Sequence, residues 1–287
     1  MKRKNKFVKM LRSTNPARIF GFIVFFLYSL TMVYAIFWAF FASLNEHIPL
    51  MLEPLKLPEK LHFENYPNAM KALAVSGNSY LSMLWNTIWL TLANSFASLA
   101  TVVVAAYALG RYQFRGRNII LTIMLLVMVL PSYGSGAATL RMYIRLGMYD
   151  SPLFIIKSFS ALGSLTFITK TFFQNISPAY EEAARIDGAN KMYIFTRVHI
   201  PMVAPSLLAV FILMFIGGWN DYATTIYYMP SYPTIASGLY IYESICKFNM
   251  DKPIYFAGVM MCAIPPMVLF AIFSDKLMTN VTMGGLK

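Results

Sequence analysis

Charge is scarce in this chain. Asp, Glu, Lys and Arg make up 13% of its 287 residues and hydrophobic residues 58%, against about 25% and roughly 45–50% in ordinary soluble domains. That excludes intrinsic disorder, which needs low hydrophobicity, and a soluble globule, which needs more charge to cover its surface. Cysteine is nearly absent too. Cys246 and Cys262 are the only two, too few for a disulfide framework, and both read as small apolar filler. His47, His62 and His199 are scattered, and no pair among these residues has the spacing of zinc ligands. No GxxxxGK[ST] occurs, so the chain has no phosphate-cradling loop and is not expected to hydrolyse a nucleotide unaided. What remains is an all-α, polytopic membrane protein carrying a formal charge of +12.

A membrane helix needs about 20 mostly apolar residues. Stretches of that kind run over Ile19–Ala42, Asn86–Leu109, Ile119–Leu140, Leu153–Phe173, Met202–Thr225 and Ile254–Ser274. Six transmembrane helices are therefore expected. The first is too long and too aromatic for a signal peptide and lacks a small-residue cleavage site, so it is expected to stay in the mature protein. Lys157 and Lys170 fall near the ends of the fourth window, where lysine can snorkel to the headgroups. The uncharged stretch Tyr222–Tyr242 is interrupted by Pro230, Pro233 and Gly238 and is rich in tyrosine; it reads as an external loop at the interface.

Basic residues set the orientation. The tail before the first span, the link after the second, the segment between the fourth and fifth and the C-terminal tail hold 15 Lys and Arg, against 7 on the opposite side. Both termini are thus expected in the cytoplasm. The predicted organisation is a basic tail 1–18, a first span 19–42, an external loop 43–85, a membrane core 86–280 and a C-terminal tail 281–287. The core encloses a cytoplasmic loop 177–201 and an external loop 226–253. Cytoplasmic segments carry a net +11 and external ones zero, so the excess charge is topological, with attraction to anionic lipid, rather than a nucleic-acid patch.

The cytoplasmic loop has a specific pattern. Ser177 is placed as an N-cap, Pro178 at the first helical position and Glu181 and Glu182 in the first turns. Glu181 and Arg185 form an i,i+4 pair, Ala179, Ala183 and Ile186 share a face, and Gly188 fits a left-handed exit. A second short helix is expected from about Asn190 to Val198, ending before Pro201. On the residues alone this is either a connector or an element that docks in a partner's groove.

Glu182-Ala183-Ala184, then Gly188, then Val198-His199-Ile200-Pro201 resembles the EAA loop of bacterial ABC importer permeases, whose usual ending is Ile-x-Leu-Pro. Phe63-Glu64-Asn65-Tyr66, Asn86, Ala106-Tyr107-Ala108-Leu109-Gly110-Arg111, Phe114-Arg115-Gly116-Arg117, Trp219-Asn220-Asp221 and Gly284-Gly285-Leu286-Lys287 are similar to the carbohydrate, MalG-like branch of that family. One departure is Ala223 and Thr224 where relatives often carry a proline.

The resemblance implies a type I permease fold whose coupling helices seat in a separate ATPase subunit. Glu181, Glu182, Ala183, Ala184, Asp187, Gly188 and Pro201 would form the coupling loop, with Glu182 making the charged contact, the alanines allowing close packing and Gly188 setting the turn. The implied partners are a second permease subunit, two ATPase subunits that bind ATP and Mg, and an extracytoplasmic solute-binding protein probed by the external loop Tyr227–Asp251. The implied location is the bacterial inner membrane, and the implied cargo a sugar. Tyr133, Trp219, Asn220 and Asp221 are candidates for the substrate path, Asp221 being the lone acid inside a span window. A permease for a non-sugar solute is the alternative. A secondary transporter would show internal repeats and intramembrane ionisable pairs, and a membrane enzyme clustered His, Glu or Asp at depth.

Overall fold

An apolar run in lipid can satisfy its backbone by coiling on itself, and helices make up most of the described residues of the computed structural model. It describes residues 16–75, 77–130, 134–246 and 250–283, with side chains from 19 to 274. Among the described residues, extended pairing is limited to one isolated bridge between Val75 and Asn78. Four helical stretches among the described residues are long and apolar enough to cross a membrane: Ile19–Ser43, Tyr80–Arg111, Lys191–Trp219 and Lys252–Ser274. The chain divides into two compact units, one of the residues up to Ala69 with Cys246–Met260, the other of Met70–Ile245 with the residues from Met261 on.

In the smaller unit, helix α1 (Pro16–Ser43) is apolar on every side, the composition of a helix whose surroundings are themselves apolar. Its end is tightly tied. Ser43, Leu44 and Asn45 are buried, and the Asn65 side-chain amide donates to the carbonyls of both Ser43 and Asn45 at 2.9 Å. Those carbonyls would otherwise be left without partners at a helix end. The Tyr66 hydroxyl lies 3.0 Å from Ser43 Oγ. The Phe63–Tyr66 motif is therefore a clasp on the end of α1. Short helices α2 (His47–Leu52) and α3 (Asn65–Ala72) follow, and His62 stands between them with its two ring nitrogens 3.0 Å from Glu46 and 2.6 Å from Glu64.

The larger unit is organised along helix α4 (Tyr80–Arg111), started by Ser79, whose hydroxyl accepts from the Ser82 amide. Val103, Ala106 and Tyr107 of α4 pack with Phe173, Ile176, Val203 and Leu207. Tyr80 and Met83, at its other end, pack with Phe215, Trp219, Ile235 and Cys262. Between them Leu90 meets Phe154 and Met229. Close approach depends on Gly110, where a Cβ would stand 3.2 Å from the Lys170 carbonyl oxygen. Asn86 does not open α4 but lies inside it, buried, donating to the Pro233 carbonyl and accepting from Trp89.

Two expected spans are not single helices. The third window becomes α5 (Arg117–Val129) and α6 (Gly136–Arg145). The fourth becomes a 3-10 segment, Pro152–Ser158, and α7 (Ser164–Gln174). Averaged hydropathy passes over Ser160 and Gly163, which interrupt the second pair. The stretch Tyr222–Tyr242, read as an external loop, holds α10 (Ala223–Tyr228) and most of α11 (Ile235–Ile245), with Pro230 and Pro233 between them.

The expected second short helix ending before Pro201 is corrected as well. After α8 (Pro178–Ile186), helix α9 runs unbroken from Lys191 to Trp219, through Pro201 and Pro205. A proline lacks an N–H to donate and crowds the carbonyl four residues back. Here the helix widens into a π segment, Ile194–His199, just ahead of Pro201 and then resumes. The last helix, α12 (Lys252–Met283), extends beyond the predicted start of the C-terminal tail. Residues 1–15 of the basic tail, Tyr133 and Gly284–Lys287 lie outside the described residues, and α1 begins at Pro16, inside the predicted tail 1–18.

Candidate functional site

Helix α8 is set by its ends. Pro178 occupies the first turn, and Ser177 precedes it without its hydroxyl making a cap bond. At the exit the Ala189 amide donates to the Ala184 carbonyl and the Gly188 amide to the Arg185 carbonyl, the paired bonds of a Schellman turn with glycine at its left-handed position. Gly188 has φ +79°. The Asn190 side chain then accepts from the Tyr193 amide at 2.8 Å and starts α9.

The acids of α8 divide between two tasks. Glu181 faces inward. Arg111, the last residue of α4, donates to Glu181 Oε2 at 2.7 Å and to the Ile176 carbonyl at 3.0 Å. Arg185 donates to the other Glu181 oxygen at 2.5 Å. Side-chain exposure is 11% for Arg111 and 18% for Glu181 but 56% for Arg185, so the interhelix bond is the sheltered one. Burial pushes the Glu181 carboxyl up, but the bonds and charges of Arg111 and then Arg185 outweigh it and hold it below the usual carboxylate range.

Glu182, Ala183, Asp187 and Gly188 are exposed and Ala184 is half-buried. Beside them Ile186 is 86% exposed, and Tyr180, Met192 and Tyr193 are exposed as well. The face of α8 that bears Ala179, Ala183 and Ile186 therefore has no cover from the described residues. An exposed, partly apolar patch that carries the carboxylates of Glu182 and Asp187 is suited to meeting a basic protein surface.

Behind the loop, His199 is fully buried. Its Nδ1 lies 3.2 Å from the Tyr107 hydroxyl, and among the described residues its Nε2 has no partner. Tyr107 also packs against Phe195 and Phe173. Pro201 is exposed on α9.

The Trp219-Asn220-Asp221 motif is split in role. Trp219 is 2% exposed, and its indole donates to the Cys262 carbonyl at 2.9 Å; it is a packing residue with a satisfied N–H. Asn220 is exposed and bonds back to the Ile216 carbonyl. Asp221 is half-buried and accepts from the Thr224 amide at 2.9 Å, capping the start of α10. The residue standing near it, Lys157, carried no functional signal in the sequence. Arg111 was visible only as part of a basic pair of motifs, not as the partner of Glu181.

The family model for "Binding-protein-dependent transport system inner membrane component" matches residues 102–282, which include α8, its exit turn and the arginine that holds it. The chain belongs to this family. It is a membrane transport component and not an enzyme. This transport component is 24% identical to the diacetylchitobiose uptake system permease protein NgcG of Streptomyces coelicolor, over 90% of this chain and 85% of that one. It is 26% identical to the galactooligosaccharides transport system permease protein GanQ of Bacillus subtilis, over 94% and 95%. In fold it is similar to a chain of a bacterial ABC transporter involved in import of the acidic polysaccharide alginate, with TM-score 0.73, 23% identity and coverage of 91% and 98%. A second alginate transporter structure, in complex with an alginate pentasaccharide-bound periplasmic protein, matches with TM-score 0.64 at 14% identity.

Proposed function

We propose that this transport component is a permease subunit of an ATP-driven ABC importer for a sugar or oligosaccharide handed over by an external solute-binding protein. Family membership and the carbohydrate-transport names of relatives that align along most of their length support this reading. The observation that carries its mechanism is α8. This short helix is bolted through Glu181 to the last residue of a membrane-length helix, while Glu182, Ala183 and Ile186 lie open for a partner.

In this reading ATP and Mg bind to two ATPase subunits. Their closure presses on α8, and the Arg111–Glu181 bond carries the push into α4. Ala183 and Ala184 permit close packing, Glu182 and Asp187 meet basic groups, Gly188 holds the exit turn, and Pro201 lies just past the π segment within α9. A second permease completes the pathway. The chain crosses the inner membrane six times with both termini in the cytoplasm. At 1.5 Å per residue a 13-residue helix such as α5 spans about 20 Å of a core about 30 Å thick. The third and fourth crossings are therefore completed by pairs, α5 with α6 and the 3-10 segment with α7. Asp221 and Asn220 stand near the substrate path, and the α10–α11 region faces the binding protein.

Affinity purification from the native host tests the assembly. The expected result is recovery of an ATPase subunit, a second permease and an extracytoplasmic binding protein, with ATPase activity lost when the ATPase subunit is stripped away. Glu182→Ala is expected to lower uptake while leaving the chain in the membrane. Unchanged uptake, or a purified chain that arrives alone and transports, would sink the reading.

A further inference from the structure

Asp221 opens onto a cavity of about 170 Å³ within the larger unit, room for one group the size of a sugar ring. Four parts of the fold converge on it: Asn94 from α4, Lys157 and Ser158 from the 3-10 segment, Asp221 beyond the end of α9, and Thr224 from α10. The 3-10 segment is well anchored there. Ser158 donates to Asn94 Oδ1 at 2.5 Å, and Ser98 donates to the Ser158 carbonyl at 3.0 Å. Lys157 places its ammonium 4.2 Å from the centre of the Phe154 ring and donates to Thr224 Oγ1 at 3.2 Å.

Lys157 and Asp221 both line this cavity, and no ion pair joins them among the described residues. Among the described residues one Asp221 oxygen caps Thr224 and the other has no partner. The lining thus offers an acceptor that cannot donate and a donor that cannot accept, held apart. A hydroxyl does both, so a ring bearing several hydroxyls offers a donor to Asp221 and an acceptor to Lys157. The formal charges cancel, which disfavours an anionic guest, and Ser158 and Thr224 add neutral hydroxyls. A cavity of this kind in a membrane-embedded chain, where unpaired polar groups are costly, calls for a polar guest.

We propose that this cavity is a subsite for one neutral sugar ring, with Lys157 and Asp221 as its hydroxyl-binding pair. The proposal rests on the importer reading and assigns to this chain a share of the substrate contacts. It differs from a passive polar seam because the pair stays unclosed.

The test uses cells carrying the whole transporter. Wild-type cells are first assayed for uptake of radiolabelled maltotetraose, galactotetraose and arabinotetraose; uptake of none of them overturns the sugar reading itself. With a sugar that is transported, Thr224→Cys and, separately, Asn94→Cys are made in a Cys246→Ala background and labelled with N-ethylmaleimide. The sugar is expected to slow labelling by about fivefold at a few times its half-saturating concentration, and glycine, as a zwitterion, to leave the rate unchanged. Asp221→Asn and Lys157→Met are expected to cut uptake about tenfold, the worth of one charge-assisted bond, at wild-type membrane levels. Labelling that is indifferent to a transported sugar at both positions overturns the subsite and leaves the importer reading standing. Protection by glycine equal to that by the sugar overturns the ligand class.

Discussion

Arg111 and Glu181, 70 residues apart in the chain, meet at 2.7 Å and join the end of a membrane-length helix to the short helix α8. Arg111 also holds the Ile176 carbonyl just ahead of α8, so one guanidinium fixes both the entry to that helix and its first turn. A fork of donors against a carboxylate and a carbonyl resists rotation as well as separation. The joint is therefore suited to carrying a push in either direction.

Arg111→Gln leaves the sheltered Glu181 oxygen without its charged donor. Hydrogen bonds to charged groups contribute about 1.5–3 kcal/mol, and the low end applies at this rim of the fold, where Arg185 remains. Uptake is expected to fall several-fold while the chain still inserts. Combined with Glu181→Gln the two losses are not additive, because both remove the same bond. Uptake and ATPase rates across the four-member cycle check this; additive losses would mean that the bond is not the shared cause.

The same bond makes the joint sensitive to acid. Glu181 in the fold ionises below its ordinary value of 4.5 because Arg111 and Arg185 outweigh its burial. A lowered folded value stabilises the native state above the unfolded value, and that stabilisation is lost as pH falls from about 4.5 through the folded value. The difference in thermal midpoint between wild type and Arg111→Gln is expected to be constant near neutrality and to shrink below pH 4.5. Melting curves of the purified protein in detergent from pH 7 to pH 3.5 measure it.

How much of this was legible beforehand differs from element to element. The apolar runs of α1, α4, α9 and α12 announced themselves, since a 20-residue apolar window needs no long-range information. The Glu181–Arg185 pair and the Gly188 exit were readable because they are local. The Arg111–Glu181 bond was not, because its partners lie on elements that only folding brings together. Pro201 read as a helix end since a proline removes a backbone donor, yet the π segment before it lets α9 run on. Trp219 and Asp221, near neighbours in one motif, are separated by burial. One turns into the core of the larger unit and the other into a polar cavity, a division that spacing alone does not reveal.

Gly188 tests the exit turn of α8. A Cβ there meets nothing within 4 Å, but φ is +79°, so the cost of a side chain is conformational. A β-branched residue in that region costs about 1–2 kcal/mol, whereas asparagine tolerates it. Gly188→Val is expected to reduce recovery of the ATPase subunit and the uptake rate, and Gly188→Asn to retain both close to wild type. Equal loss with both variants would mean that glycine is required for space at a partner surface instead of for its backbone.

Gly238 and Gly217 make a matched pair for packing. Both sit in helices, α11 and α9, where alanine is the better helix former by about 1 kcal/mol. At Gly217 an added Cβ meets nothing within 4 Å, whereas at Gly238 it would lie 2.9 Å from the Leu73 carbonyl oxygen and press on Met83. A flexible methionine can move aside, but the carbonyl belongs to the backbone and cannot do so cheaply, which puts the cost of overpacking at about 1–3 kcal/mol. Gly238→Ala is therefore expected to lower the thermal midpoint and Gly217→Ala to leave it unchanged or raise it slightly. Melting of the two purified variants side by side decides the matter, and a Gly238→Ala protein as stable as wild type would show that α11 and the segment carrying Leu73 are not held together as closely as described.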